Sequence, residues 1–334
     1  MAPRVFFGGP LLDGEFVVYD GDGRPEIGIA NPSVEAAREN VAALAEAGVD
    51  FIKIYELVSP EVFAALVDAA EQRNLPIAAH VPLAMRASEV APFVDSMEHL
   101  RNVEMDCGIN SAAFLATRRE ILDAHEEGPG AELRSSLHGL QRLPSIAEYD
   151  EARCQDVLAA MRSTIQVPTL RLNSFALRPP FGREDWMAGL ERAPAGIAEP
   201  WRAETAERLA NPAVTDTTFA AWSLRLTGMM HRAGVPIGAG TDTPINYSLP
   251  GFSLHSELEM LVRAGLSPLE ALRSATVRPA EFFGLESEMG TIEPGRRADL
   301  VLLSANPLDD ITNTRRIEAV ISRGRQAWES AAER

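Results

Sequence analysis

Short apolar runs alternate with helical segments along the first two-thirds of the 334-residue chain. The runs 51–55 and 76–81 are clear examples, and the segment between them begins Ser59-Pro60-Glu61, a typical helix start. Strand–helix–strand alternation predicts a parallel sheet with helices packed outside it. We therefore predict an α/β fold whose barrel-type strands lie at 5–8, 51–55, 76–81, 96–100, 167–170 and 236–242.

The remaining segments divide the chain into two predicted domains. The stretch 105–164 has a helical pattern, whereas strand-like runs separated by turn residues occupy 298–304 and 317–321. We expect a (β/α) barrel domain at 1–288 and a small C-terminal β segment at 289–334.

Charge and composition restrict the partners of the chain. The formal net charge is −17, and nucleic acid is excluded as a partner because its binding requires clustered Lys and Arg. No apolar run has the length of a membrane span, and no leader precedes the first strand. Cys107 and Cys154 match no zinc or redox spacing, so we expect free thiols and a cytoplasmic location.

The basic residues are 30 Arg and a single Lys, Lys53. Codon bias toward Arg is the simplest cause of this imbalance, but it leaves the one retained lysine unexplained. Only the amine of lysine can be deprotonated and take part in covalent chemistry. In the strand 51–55 the two Ile side chains share one face, which directs Lys53 to the other face, toward the barrel interior.

Four polar residues lie near the C-terminal ends of predicted strands, namely Lys53, His80, His99 and Asp242. In a parallel α/β barrel these ends form the rim of the active site. Two imidazoles and two oxygen donors suit zinc or another divalent metal ion. A lysine amine is normally a cation, but with carbon dioxide it forms a carbamate, an anionic oxygen ligand.

Each of these residues also has a simpler interpretation. A single histidine on a strand is more often a core residue than a ligand, and Asp242 after a Gly-rich run is more often a turn or helix cap. The occurrence of all four at strand ends favours the metal site.

Several stretches resemble the amidohydrolase superfamily, in particular its imidazolonepropionase-related and prolidase-like group. The similarity extends over nearly the whole chain, and the C-terminal run is among the most specific parts of it. The matching stretches are 48–55, Ala79-His80-Val81, Glu98-His99-Leu100, 167–170, 238–243 and 290–300.

The resemblance implies a distorted (β/α)8 barrel beside a small β-sandwich, and hydrolysis of an amide-type C–N bond by a metal-activated hydroxide. The substrate would be a small amide, a dipeptide or a cyclic amide. Lys53, as a carbamate, would bridge two metal ions. His80 and His99 would hold one ion, while Asp242 would bind the other and transfer a proton.

One departure from the family pattern is serious. The family has a His-x-His pair on its first barrel strand, and no two of the six histidines here are separated by one residue. On this resemblance the chain begins at the third strand, so we expect about one metal ion per chain. Open sheet edges at 5–8 and 236–242 would favour a homo-oligomer or aggregation. The alternative is a truncated, catalytically silent fragment.

Three further residues are candidates for contact with the substrate. Tyr55 and Arg101 lie just beyond strands that carry ligands, although ordinary packing and surface charge are alternatives for them. His255 lies on a predicted helix where the family often has a histidine, and an exposed position on that helix is its alternative.

Overall fold

The computed structural model describes residues 4–21 and 25–329 and divides them into two compact units. The first unit comprises residues up to 167 together with 232–236 and 282–284, and the second comprises the rest. The strands of the first unit are β1 (Leu11–Leu12), β2 (Gly28–Ile29), β3 (Ile52–Ile54), β4 (Ile77–Ala79), β5 (Ser96–Glu98) and β6 (Ile165–Val167). Its α-helices are α1 (Val34–Glu46), α2 (Pro60–Glu71), α3 (Ala87–Val90), α4 (Val103–Asp106), α5 (Ser111–Asp123), α6 (Gly130–Ala147) and α7 (Glu151–Ala160).

The six strands form one parallel sheet in the order β2-β1-β3-β4-β5-β6, which confirms the predicted α/β class. Leu11 lies opposite Lys53 in the register, and Lys53 lies opposite Ala78. Ile52 and Ile54 are fully buried, as the alternation along β3 predicts.

The strand predicted at 5–8 is wrong. In this segment the carbonyl of Phe7 accepts from the amide of Asp50, just before β3. Strand pairing with β3 begins only at Leu11. The sequence analysis also missed β2, which is only two residues long. Because β2 is an outer strand of this sheet, the open edge predicted at 5–8 is misplaced. At the other side, the Gln166 amide of β6 donates to the carbonyl of Pro236, so the start of the segment 236–242 does lie along the sheet.

Local sequence signals explain where several helices begin. The Ser33 and Ser59 side chains accept from backbone amides in the first turns of α1 and α2, and Pro60 occupies the first turn of α2. Ala37, Val41 and Leu44 form the buried face of α1, as their spacing predicts.

The loop after β1 approaches the loop after β3 very closely. A Cβ atom on Gly14 would lie 2.0 Å from the carbonyl oxygen of Leu57, so only glycine fits at this position. Next to it, the buried Asp13 carboxylate accepts from the amides of Gly14, Val18 and Leu57. These bonds fix the strand end beside the candidate site.

The prediction of free thiols is also wrong. Cys107 and Cys154 form a disulfide between the end of α4 and α7. Both residues are fully buried, and the helices that carry them are in contact. Spacing could not show this pairing, because 47 positions separate the two cysteines in the sequence. Free thiols therefore no longer support the expected cytoplasmic location.

The second unit contains seven α-helices among its described residues and a three-stranded antiparallel sheet. Ser267 and Glu270 form a capping box at the start of α13. The helices are α8 (Leu170–Asn173), α9 (Glu184–Leu190), α10 (Ala195–Ala210), α11 (Thr218–Arg232), α12 (Ser253–Ala264), α13 (Pro268–Ser274) and α14 (Val277–Phe282). The strands, in spatial order, are β7 (Leu300–Leu303), β8 (Ile317–Ser322) and β9 (Arg325–Glu329).

The strands predicted at 298–304 and 317–321 are confirmed as β7 and β8, whereas β9 was missed. The segment 236–242 forms no continuous strand. Its Ala239 amide donates to the carbonyl of Ser274 instead of to a neighbouring strand, and Asp242 has a left-handed backbone with φ 52°.

Within the ranges 4–21 and 25–329, no helix combines the length and the apolar character that crossing a membrane would require.

Candidate active site

Three of the four predicted site residues meet at one edge of the sheet in the first unit. Lys53 lies on β3, while His80 and His99 directly follow β4 and β5. These strands are parallel neighbours, so their C-terminal ends lie side by side. The imidazole rings of His80 and His99 are in edge-to-face contact, with centroids 4.8 Å apart.

Lys53 forms an ion pair with Glu98, the last residue of β5. Both side chains are mostly buried, with exposed fractions of 15% and 13%. The Ser96 hydroxyl donates to the other carboxylate oxygen of Glu98 at 2.7 Å. In this state the lysine is a paired ammonium, so the formation of a carbamate would require the loss of a proton.

Glu56 is the centre of a buried hydrogen-bond network that the sequence analysis missed. Its side chain is fully buried and accepts from His80 Nδ1 at 2.7 Å. The Arg134 guanidinium donates twice to the same carboxylate oxygen, at 2.8 and 3.0 Å, and His138 Nε2 contacts the other oxygen. One carboxylate therefore links two imidazoles and one arginine.

The pKa shifts follow from burial and from these neighbours. Burial raises the pKa of Glu56, but His138 and Arg134 outweigh that effect and hold it well below its usual range. Burial, and secondarily the charge of Lys53, lowers the pKa of His80 to about 3. Burial, with His80 next to it, also holds the pKa of His99 well below its usual range. Both imidazoles are neutral at pH 7, as metal ligation requires.

The turn after β5 has an unusual backbone. His99, Leu100 and Asn102 have positive φ angles of 62°, 57° and 63°. The Asn102 side chain fixes this turn, because its amide donates to the Val81 carbonyl at 2.9 Å and its oxygen accepts from Arg118 at 2.8 Å. Such backbone strain persists only where the surrounding structure enforces it, and it is concentrated at functional sites.

Two of the predicted substrate residues border the same cluster. The ring of Tyr55 lies 4.4 Å from the ring of His80, and its hydroxyl pKa is raised chiefly by burial. Arg101 Nε lies 3.8 Å from a carboxylate oxygen of Glu56, and burial lowers the pKa of this guanidinium. Neither residue lies on the exposed surface, contrary to the alternative of surface charge for Arg101.

The other two predicted residues lie in the second unit. The carbonyl of Asp242 accepts from Arg171 at 3.4 Å. His255 lies on α12, with its Nδ1 at 2.9 Å from the hydroxyl of Thr314, and burial lowers its pKa. Their assignments as ligand and substrate contact stay predictions.

A sequence signal for part of the missed network does exist. Arg134, His138 and Arg142 are spaced four residues apart on α6, so they lie on one face of that helix. Glu56 follows a strand end, as His80 does, and could have been selected on the same ground. The sequence gives no indication that α6 contacts Glu56, because 82 positions separate His138 from it.

The side chains at this edge fit a divalent metal under one condition. Within residues 4–21 and 25–329, no three or more His, Cys, Asp or Glu side chains are grouped so that they could hold a metal ion. His80 and His99 supply two neutral donors, and the third donor would have to be Lys53 as a carbamate. The residues therefore fit one zinc-type site only if this lysine is modified.

Comparisons with known proteins match part of the chain by sequence and nearly all of it by structure. The model of the amidohydrolase family matches residues 205–327. The adenine deaminase of Roseobacter denitrificans is 49% identical over 63 residues, which are 19% of this chain and 10% of that protein. The ochratoxinase of Aspergillus niger is 39% identical over 82 residues, 24% of this chain and 16% of that protein.

Solved structures resemble nearly the whole chain. The alignment with a bottromycin amidohydrolase has a TM-score of 0.65 at 24% identity, and it covers 97% of this chain and 64% of the bottromycin amidohydrolase chain. The alignment with a Xaa-Pro dipeptidase with bound methionine has a TM-score of 0.62 at 19% identity, and it covers 99% of this chain and 69% of the dipeptidase chain. The match to residues 205–327 supports the resemblance to the amidohydrolase superfamily that the motifs predict, and the solved structures share the fold of this chain.

Proposed function

We propose that the protein is a metal-dependent hydrolase that cleaves an amide-type C–N bond in a small molecule. The observation that carries the proposal is the meeting of two neutral imidazoles and the lone lysine at adjacent strand ends. Further support comes from the superfamily and from relatives named adenine deaminase, ochratoxinase and Xaa-Pro dipeptidase.

The proposed metal ligands of the first unit are Lys53, His80 and His99. A bound zinc-type ion would supply Lewis acidity and lower the pKa of water, which makes hydroxide available at neutral pH. For Lys53 to act as a ligand, its ammonium must lose one proton to become the amine that attacks carbon dioxide, and the nitrogen must lose a second proton as the N–C bond forms and the carbamate anion results. The paired Glu98 carboxylate is placed to accept the first proton, and the second would pass to solvent.

Asp242 is the proposed ligand of a second metal position and the group that transfers a proton from water to the leaving amine. This role rests on the family resemblance of the run 238–243. On the resemblance, that position would have two protein ligands, Asp242 and the carbamate, whereas the proposed position at His80 and His99 would have three. We therefore expect at most about one tightly held ion per chain, because two protein ligands make a poor zinc site.

Tyr55 and Arg101 are the proposed contacts for a polar substrate in the first unit. A buried hydroxyl and a buried guanidinium beside the ligand imidazoles can orient an amide by hydrogen bonds. His255 is proposed as a further substrate contact from the second unit. A small amide, a dipeptide or a cyclic amide would suit such groups.

Hydrolysis of a panel of dipeptides, N-acylated amino acids and cyclic amides tests the proposal. The zinc-loaded chain should release free amine, and Lys53→Arg should abolish the release. Arg162→Lys, a change at an exposed site, is the matched control. A wild-type rate in zinc-free Lys53→Arg would contradict the proposal. Zinc binding without turnover of any compound would favour the silent fragment.

A further inference from the structure

One asparagine side chain joins the two loops that carry the histidines of the site. Asn102 lies three residues after His99. Its side-chain amide donates at 2.9 Å to the carbonyl of Val81, the residue that directly follows His80. Asn102 is fully buried. This bond therefore connects the loop after β4 to the loop after β5 without competition from water.

A buried arginine fixes the orientation of this amide. Arg118 Nη1 donates to the side-chain oxygen of Asn102 at 2.8 Å. Because a guanidinium has no acceptor atom and a carbonyl has no donor, Asn102 must turn its oxygen toward Arg118 and its nitrogen toward Val81. Both ends of the amide are thus determined by partners that have only one hydrogen-bonding role.

Arg118 is held in turn between two helices of the segment 105–164. It lies on α5 and is fully buried, and its Nε donates to the side-chain oxygen of Gln141 on α6. The side-chain nitrogen of Gln141 donates back to the carbonyl of Phe114 on α5 at 2.8 Å. A guanidinium held at two of its nitrogens is a rigid, planar donor. The helices of this segment therefore support the turn after β5.

We infer that Asn102 and Arg118 are positioning residues that set the spacing between the imidazoles of His80 and His99. The two rings follow different strands, and their centroids lie 4.8 Å apart. A metal site requires donors that the surrounding side chains already hold in the correct geometry. The left-handed backbone of His99 and Asn102 also persists only where such contacts enforce it. The use of this spacing in metal binding rests on the proposed function, whereas the spacing itself does not.

The spacing can be measured without metal. In a deuterated chain with protonated histidines, the edge-to-face contact should give a nuclear Overhauser effect between the two rings, and six histidines are few enough to assign by substitution. Asn102→Gly removes both side-chain bonds but keeps the turn, because glycine readily adopts the φ of 63°. We expect the ring-to-ring effect to be lost in this variant. Its retention there, or its absence from the unmodified chain, would overturn the inference.

Asn74→Gly is the matched control. Asn74 is also left-handed, with φ 53°, but it lies exposed in the turn before β4. This variant should keep the ring-to-ring effect and the zinc affinity measured by competition with a chelator. In Asn102→Gly the zinc affinity should fall about 10–100-fold, the usual cost of losing a group that orients a metal ligand. A merely structural role would lower the stability of Asn102→Gly but leave the ring contact and the zinc affinity of the folded chain unchanged.

Asn102→Asp separates the two bonds of the side chain. A carboxylate still accepts from Arg118 but has no donor for the carbonyl of Val81. The losses of ring contact and zinc affinity should therefore equal or exceed those of Asn102→Gly, and this variant decides if the glycine variant does not fold. An unchanged ring contact in Asn102→Asp would overturn the part assigned to the bond with Val81. The expected ring contacts in every variant, without zinc binding by the unmodified chain, would refute the proposed function alone.

Discussion

Two fully buried glutamates, one in each compact unit, have opposite pKa shifts. Glu56 lies among Arg134 and two imidazoles, and its pKa is held well below the usual range even though burial opposes this. Glu257 of the second unit accepts from the backbone amides of Leu170 and Arg171, and burial raises its pKa to about 7. Equal burial thus gives opposite shifts of the pKa, because the charges around Glu56 offset desolvation more fully than two backbone amides and the charge of Arg171 do at Glu257.

The comparison also separates two uses of a buried carboxylate. The pKa of Glu56 lies well below its usual range, and its carboxylate connects His80 on one strand end to Arg134 and His138 on α6. Glu257 connects α12 to the start of α8 and titrates near neutrality. The first arrangement suits a site that must keep fixed ligands, whereas the second makes the stability of the helix contact sensitive to pH.

The largest expected effect comes from truncation of Glu56. Glu56→Ala leaves Arg134 as a buried cation without its carboxylate and should lower the free energy of unfolding by about 3–5 kcal/mol. The equivalent Glu257→Ala leaves mainly two backbone amides unsatisfied and should cost about 1–3 kcal/mol. Urea unfolding of both variants measures the difference. Equal losses of the free energy of unfolding would show that the different hydrogen-bond partners of the two glutamates do not affect stability.

The second largest effect concerns the disulfide of the first unit. Replacement of Cys107 and Cys154 by alanine should lower the free energy of unfolding by roughly 2–4 kcal/mol, since a closed loop restricts the unfolded chain. Hydrogen exchange should locate the loss of protection in α4 and α7. Unchanged protection there, or an equal loss in the helices of the second unit, would argue against a local role of this bond.

The smallest effect is a pH dependence of stability. Because the folded-state pKa of Glu257 is raised from 4.5 to about 7, the folded chain binds more protons than the unfolded chain between these values. The contribution of this group to stability is therefore full below pH 4.5 and is lost as the pH rises toward 7. Asp13 of the first unit contributes in the same direction, because burial raises its pKa from 3.8 to about 7. Glu257→Gln should therefore reduce the slope, whereas Glu259→Gln, two residues along the same helix, should leave it unchanged. An undiminished slope in Glu257→Gln would contradict the assignment.

The sequence was sufficient to predict the α/β class, the helix starts at Ser33 and Ser59, and the meeting of Lys53 with two histidines. These features depend on local patterns and on the geometry of parallel strands, which periodicity reveals. The strand predicted at 236–242 was wrong because its apolar composition does not show that Ala239 bonds to a helix end.

What the sequence could not show is long-range contact. The disulfide joins residues 47 positions apart, and the glutamate–histidine contact between Glu56 and His138 spans 82. A helix spacing such as that of Arg134, His138 and Arg142 identifies a face, but only packing identifies what that face contacts. The charge state of a buried carboxylate depends on those contacts, so it lies beyond prediction from local sequence.

Metal stoichiometry tests the central claim most directly, namely that Lys53, His80 and His99 form one zinc-type site. Elemental analysis of the chain equilibrated with zinc and bicarbonate, then freed of loosely held ions, should give at most about one ion per chain. Lys53→Arg keeps a cation beside Glu98 but cannot form a carbamate, so it should retain no zinc, and added bicarbonate should not restore it. Wild-type zinc content in Lys53→Arg, or two tightly held ions in the unmodified chain, would contradict the account.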